Sequence, residues 1–515
     1  MEKTIKNRSE MNPEYMWDLS IVFKNDDAWY QTLDEVKEKI KEYEKYQDHF
    51  MESATSLYEL LKLDQEVSRT LERLNTYSNS KSDEDKGNNT YLKMVGELDN
   101  AYTLATTSSA YIVPTLMKYQ YTKIEEYMKE DERLKEFERS LKNIFRYKPY
   151  VLEEKEEKLL SEYIKVFQTP SNLYDILSNS DLQLGSILDD EGKEIELTDA
   201  NFVYNLRSKN RAFRKRTFEK AYETYKQFSN TFATTLAGIV DYSVIDAKVR
   251  GYQSSMASYL FPDKMPVEAY HNLIDSVNDG LPVLMEYFKL KKQELGLDEI
   301  HIYDLYVDLV KENAKEYTFE EAKQMVIEAM SVLGDDYVRR LQDAFKNHWI
   351  DVYPNKGKAS GAYSGGSYDT PPYVLLNYMG TIDDVSTLAH ELGHSMHSYY
   401  SNQNQEYLYH NYPIFLAEIA STVNEILLND YLYKNAQSKS EKMLYLNEFL
   451  DKIKGTLYRQ TMFAEFEMKI HDKYQAGIPL TEEEFSNTYY ELNKLYFGPN
   501  MISDEEIRYE WERIP

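Results

Sequence analysis

His390-Glu391-Leu392-Gly393-His394 places two imidazoles one helical turn apart with a carboxylate between them. Residues i and i+4 share a helix face, so both rings can reach a single ion. Imidazole nitrogen binds Zn²⁺ at about 2.0–2.1 Å, and a catalytic zinc takes three protein ligands and leaves one position for water. Glu391 is placed to accept a proton from that water. With only 9 histidines in 515 residues, chance seldom assembles this pattern. The rival reading is a pair of histidines satisfied inside a helical core. A third ligand separates the two.

The surrounding residues predict a helix. Gly380-Thr381-Ile382-Asp383-Asp384 opens it, with Thr381 and Asp384 spaced as a capping box. Val385, Leu388, Leu392, Met396 and Tyr399 form an apolar stripe, and Thr387, His390, His394 and His397 form a second stripe about 200° away. Apolar packing on one side and histidines on the other fit the wall of a buried site. Gly393 lies in the interior, where glycine costs about 1 kcal/mol relative to alanine. Close approach of a neighbouring element or of substrate would explain it.

Three residues compete as third ligand: His397, His410 and Glu418. His397 lies about 4.5 Å further along the axis than His394, which strains closure by one straight helix, so it is expected to line the site. His410 lies beyond the polar connection 401–405. The metzincin pattern needs Gly three and His six residues after the second ligand, and here those positions are His397 and Tyr400, which excludes that class. Glu418 fits best. Pro413-Ile414-Phe415-Leu416 opens a second helix, with Phe415, Ile419, Val423 and Ile426 as its expected apolar stripe and Glu418, Thr422 and Glu425 on another face. Glu425 would then stand behind a ligand histidine and accept its far N–H, as carboxylates behind metal-bound histidines do. A surface glutamate is the plain alternative.

Upstream, Ile350–Tyr353 and Tyr373–Asn377 predict strands, and between them runs Gly357-Lys358-Ala359-Ser360-Gly361-Ala362-Tyr363-Ser364-Gly365-Gly366. Glycine at this density implies tight turns or close backbone approach. Gly361, Ala362 and Tyr363 could line the site, an edge strand there pairing with an extended peptide by β-augmentation. A structural β-insert fits equally well.

Most of the remaining chain is periodic near 3.6 and predicts helices over 27–46, 54–77, 91–111 and 124–147. Leu184–Leu197 predicts a β-hairpin around Asp189-Asp190-Glu191-Gly192-Lys193. Asp504–Glu512 predicts a last amphipathic helix. The fold class is mainly α, with a small sheet beside the H-E-x-x-H helix. Three regions follow in order: an N-terminal helical region (1–115), a helical segment with the hairpin (116–200) and a catalytic region (201–515).

The formal net charge is −28, with 60 Lys and Arg against 88 Asp and Glu. No positive field exists to hold phosphates, which excludes nucleic acid and anionic membrane as partners. The acidic balance favours cationic substrates. There is no cysteine, so any metal site must use His, Asp or Glu, and a cytoplasmic location is expected. No signal-peptide h-region and no run of about 18 apolar residues is present.

His390-Glu391-Leu392-Gly393-His394-Ser395-Met396-His397 resembles the H-E-[FL]-G-H-x-x-H signature of the thimet oligopeptidase family. Glu418-Ile419-Ala420-Ser421-Thr422-Val423-Asn424-Glu425 resembles that family's third-ligand helix. Trp17-Asp18-Leu19-Ser20, Lys358–Ser364, Leu375-Leu376-Asn377-Tyr378 and Tyr458–Glu467 are similar to its oligoendopeptidase F branch. The resemblance spans nearly the whole chain. It implies a two-lobed, zincin-type helical metallopeptidase with a deep channel for short peptides. It also implies one Zn²⁺ bound by His390, His394 and Glu418, and Glu391 as general base of an endopeptidase acting on oligopeptides. One departure stands out. In the family a sequence like this continues into a His and an aromatic-rich stretch that bind substrate and stabilise the tetrahedral intermediate, whereas this one stops at Pro515. A truncated chain is expected on that comparison, and the alternative function is a zinc- and peptide-binding fragment with impaired catalysis.

Overall fold

The computed structural model describes residues 6–189, 191–310 and 315–513. The chain divides into two compact units, Met1–Lys148 with Ala314–Ala436, and Pro149–Asn313 with Gln437–Pro515. Packing rather than chain order defines them, since each joins stretches far apart in sequence. The regions 1–115, 116–200 and 201–515 describe chain order alone.

The first unit begins with helices Asp26–Ile40, Ala54–Glu84 and Asn89–Ser109. The first buries Trp29, Leu33, Val36 and Ile40, the spacing that predicted it, and Asn25 caps it by accepting the Ala28 N–H. The expected helix over 124–147 is instead two helices, Tyr121–Glu130 and Glu138–Arg146, joined by a 3₁₀ turn at Glu132–Phe137. Asp131 causes the break. Its backbone is extended and its side chain accepts the Arg133 N–H at 3.1 Å, which starts a new turn.

A three-stranded sheet follows, with strands Ile350–Asp351, Tyr363–Gly365 and Tyr373–Leu375. Tyr373–Leu375 is central, parallel to Ile350–Asp351 and antiparallel to Tyr363–Gly365, with Ser364 opposite Val374. Tyr363–Gly365 is thus an edge strand inside the glycine-rich run. Buried Asp351 accepts from Arg8 Nη1 at 2.9 Å and pairs with Lys358 Nζ at 2.7 Å. Asn377 donates to the carbonyls of Ala359 and Gly361, both at 2.9 Å. Gly357 has φ +81°, and a Cβ there would overlap Asp85. These contacts pin the run onto the end of the 54–84 helix and present its edge strand to the helix Ile382–Asn404.

The second unit packs helices that include Arg211–Lys226, Ser229–Arg250, Gln460–Gln475 and Glu482–Phe497 around aromatic residues such as Phe218, Tyr222, Phe288, Tyr489 and Trp511. The hairpin forms as expected, Ser186–Leu188 antiparallel to Glu194–Glu196. Asp304, fully buried, is neutralised by Arg214 at 2.6 Å and Arg211 at 3.0 Å. The segment expected as a last amphipathic α-helix is 3₁₀ over Glu505–Arg513, with Ile507 and Trp511 buried. Among the described residues no helix is long and apolar enough to cross a membrane.

Candidate active site

The site is built on two helices of the first unit, Ile382–Asn404 and Ile414–Asn435. Thr381 and Asp384 form the capping box at the start of the first. Its buried face carries Val385, Leu388, Leu392 and Met396. The second helix corrects an expectation. Phe415, Ile419, Val423 and Ile426 do not pack; they are exposed at 62, 55, 41 and 44 %. The buried face carries Ser421 and Asn424 at the level of the first helix's Gly393 and Ala389, and Leu428 and Leu432 further along. Asn424 donates to the Ala389 carbonyl at 3.0 Å and accepts from Tyr337 at 2.9 Å. Gly393 makes the approach possible. A Cβ on it would lie 2.6 Å from Ser421 Cα and 2.8 Å from the Ala420 carbonyl oxygen. The neighbour that explains this glycine is a helix backbone.

That close crossing brings three ligand atoms together. His390 Nε2 and His394 Nε2 are 3.1 Å apart, and Glu418 Oε2 lies 3.4 Å from each. Ligands held at about 2.0–2.1 Å in a tetrahedron stand roughly 3.3 Å from one another. Among the described residues these three form the one His/Cys/Asp/Glu group able to hold a metal. Two imidazoles and a carboxylate are a donor set suited to zinc. Ser421 Oγ donates to Glu418 Oε2 at 2.9 Å and so orients the carboxylate.

Around them lie the other candidates. His390 Nδ1 is 3.3 Å from Glu425 Oε1. Glu391 is buried, and the polar backbone of Ser364 on the edge strand favours its charged form. Ser364 Oγ is 2.8 Å from Ser395 Oγ, which donates to the Glu391 carbonyl at 2.9 Å. Tyr363 donates to Asp83 at 2.5 Å, while Gly361, at φ +77°, and Ala362 precede it in the turn. His397 stacks flat on Tyr412, ring centroids 3.6 Å apart. His410 stands outside the ligand group, buried, with Nδ1 2.8 Å from Asn402 Oδ1.

The electrostatics follow from this crowding. Burial pushes the Glu391 carboxyl up to about 7, helped by Glu418 and Glu425 and opposed by His390 and the Ser364 backbone. Burial works against a charged His390, but the hydrogen bond and charge of Glu425 outweigh it and hold this imidazole above its ordinary range. His394 is held below its ordinary value by burial.

The Ser364–Ser395 link, the Asn424 stitch and the Tyr412 stack leave no local pattern in the sequence. A small-residue pairing of Gly393 with Ala420-Ser421 was the available signal for the helix crossing.

Residues 205–514 match peptidase family M3, and residues 116–183 match oligopeptidase F. The chain is 43 % identical over 511 residues to oligopeptidase PepF of Bacillus subtilis, covering 99 % of this chain and 76 % of that one. It is 38 % identical to group B oligopeptidase PepB of Streptococcus agalactiae, covering 99 % and 84 %. Among solved structures, a chain from Chlamydophila abortus superposes with TM-score 0.91 at 36 % identity, covering 99 % and 86 %. Oligoendopeptidase-F from Enterococcus faecium superposes with TM-score 0.72 at 30 % identity, covering 95 % and 83 %.

Proposed function

The chain belongs to peptidase family M3, and from that premise we propose that it is a zinc-dependent endopeptidase hydrolysing internal bonds of short peptides. The observation that carries the reading is the convergence of His390, His394 and Glu418 beside buried Glu391. The three converging residues would hold the metal. Bound zinc supplies a Lewis acid and lowers the pKa of its water to about 7.

Glu391 is the general base. It takes the proton released on attack at the scissile carbonyl and returns it to the leaving amine. Burial raises its affinity for that proton. Glu425 is a positioning residue that fixes the His390 ring through Nδ1. The Tyr363–Gly365 edge strand pairs with the extended substrate, and Gly361 and Ala362 lead into it. The partners are short peptides, not nucleic acid or membrane, and the cysteine-free composition fits the cytoplasm.

A quenched peptide tests the reading. Hydrolysis is expected to stop with phenanthroline, to return with added zinc, and to fall by several orders of magnitude in Glu391→Gln. Cleavage that survives both treatments would overturn it.

A further inference from the structure

The metal helix also walls a second cavity, of about 250 Å³. Ser398 lines it, four residues beyond His394 and so about 6 Å further along the helix axis. Tyr412, whose ring stacks on His397, lines it too. The opposite wall is Gly366 and Ser367, the chain that continues directly from the edge strand. Asn402 ties the walls together, donating to the Ser367 carbonyl at 3.3 Å and meeting His410 Nδ1 at 2.8 Å.

The lining mixes hydroxyl, carboxamide and imidazole groups with the Pro372 and Tyr412 rings and carries no carboxylate, lysine or arginine. Ser398 Oγ and Tyr412 OH lie 2.9 Å apart, so one proton sits between them and one hydroxyl remains able to donate. Asn411 adds an exposed carboxamide with both donors and an acceptor. An aliphatic side chain here would bury these groups without partners, and a charged one would lose hydration without a counter-ion. A carboxamide or hydroxyl meets neither cost.

Position follows from the strand. Ser364 meets the metal helix beside Glu391, its Oγ 2.8 Å from Ser395 Oγ, which donates to the Glu391 carbonyl, and Gly366 and Ser367 lie two and three residues on. At about 3.3 Å per residue that is roughly 7–10 Å. A peptide paired along the strand advances at the same pitch.

We propose that this cavity is a substrate subsite for an uncharged hydrogen-bonding side chain (Gln, Asn, Ser or Thr) two or three residues from the scissile bond. The proposal rests on the peptidase reading of the neighbouring metal group.

The test uses zinc-loaded protein and matched peptides that carry Gln or its near-isostere Met at each position in turn. Hydrolysis is followed in the wild type, and binding of labelled peptides is followed by anisotropy in Glu391→Gln. At one position, two or three residues from the cleaved bond, Gln is expected to be favoured by about fivefold, the weight of one ordinary hydrogen bond. Asn411→Leu and Tyr412→Phe should each shrink that ratio towards one. Asn411 is exposed, so its variant tests the subsite without disturbing the core. Hydrolysis or binding with no Gln preference at any position, or a preference that both variants retain, overturns the subsite. Selective binding without hydrolysis keeps the subsite and overturns the catalytic reading. Failure to bind any peptide overturns both.

Discussion

Gly393 has no side chain, and the metal group depends on that. It lies between the two ligand histidines' own turn and the backbone of Ala420-Ser421, where no Cβ fits. The obstruction is main chain, which cannot swing aside as a flexible side chain would. Gly393→Ala should therefore push the two helices apart and carry Glu418 away from the imidazoles. Overpacking of this kind costs about 1–3 kcal/mol, more than the helix-propensity gain of about 1 kcal/mol from removing a glycine. A lower melting temperature and substoichiometric zinc by elemental analysis are expected. A variant that is more stable and still binds one zinc per chain would show that the close approach is not what the site requires.

At the scale of elements, the ligand helix was legible because its chemistry and its capping box are both local patterns. His390, His394, Thr381 and Asp384 report themselves within one segment. The second ligand helix was legible in position but not in orientation. Its apolar stripe through Ile419 and Val423 predicts the buried face, yet the buried face is the one with Ser421, Asn424, Leu428 and Leu432, small and polar only where the backbones cross. Close backbone crossing favours small and hydrogen-bonding residues over bulky ones, and a periodicity argument weighted by hydropathy does not see that. An edge strand was expected near the glycine-rich run, but its bounds were hidden for a related reason. Three residues among glycines have too little alternation to register, and contacts from Asp83, Asn377 and Ser395, distant in sequence, hold them extended. That strand carries its own prediction. If substrate pairs with it, an N-methyl group moved along a good peptide should raise KM at alternate positions, where the amide points at the strand. About a tenfold effect per lost hydrogen bond is expected. Uniform tolerance of N-methylation away from the cleaved bond would exclude strand pairing.

The whole molecule is dominated by its charge, 88 acidic against 60 basic residues. Many ion pairs join neighbours three or four residues apart on exposed helix faces, such as Lys41–Glu38 and Lys142–Glu138. Such solvent-screened pairs contribute little to stability and leave the net excess untouched. That excess acts at long range. A field of several kT raises the local concentration of counter-charged ligands and their association rates by about tenfold or more. The field is screened once the Debye length falls to about 10 Å, near 0.1 M salt. Two otherwise identical peptides flanked by lysines or by glutamates separate this from pocket specificity. At low ionic strength the lysine peptide should show the higher kcat/KM by about tenfold, and the two should converge as salt is added, the cationic one falling and the anionic one rising. Pocket contacts at short range would instead keep the ratio nearly constant with salt. An anionic peptide favoured at low salt would mean that the charge near the metal group, rather than the net charge of the chain, governs approach.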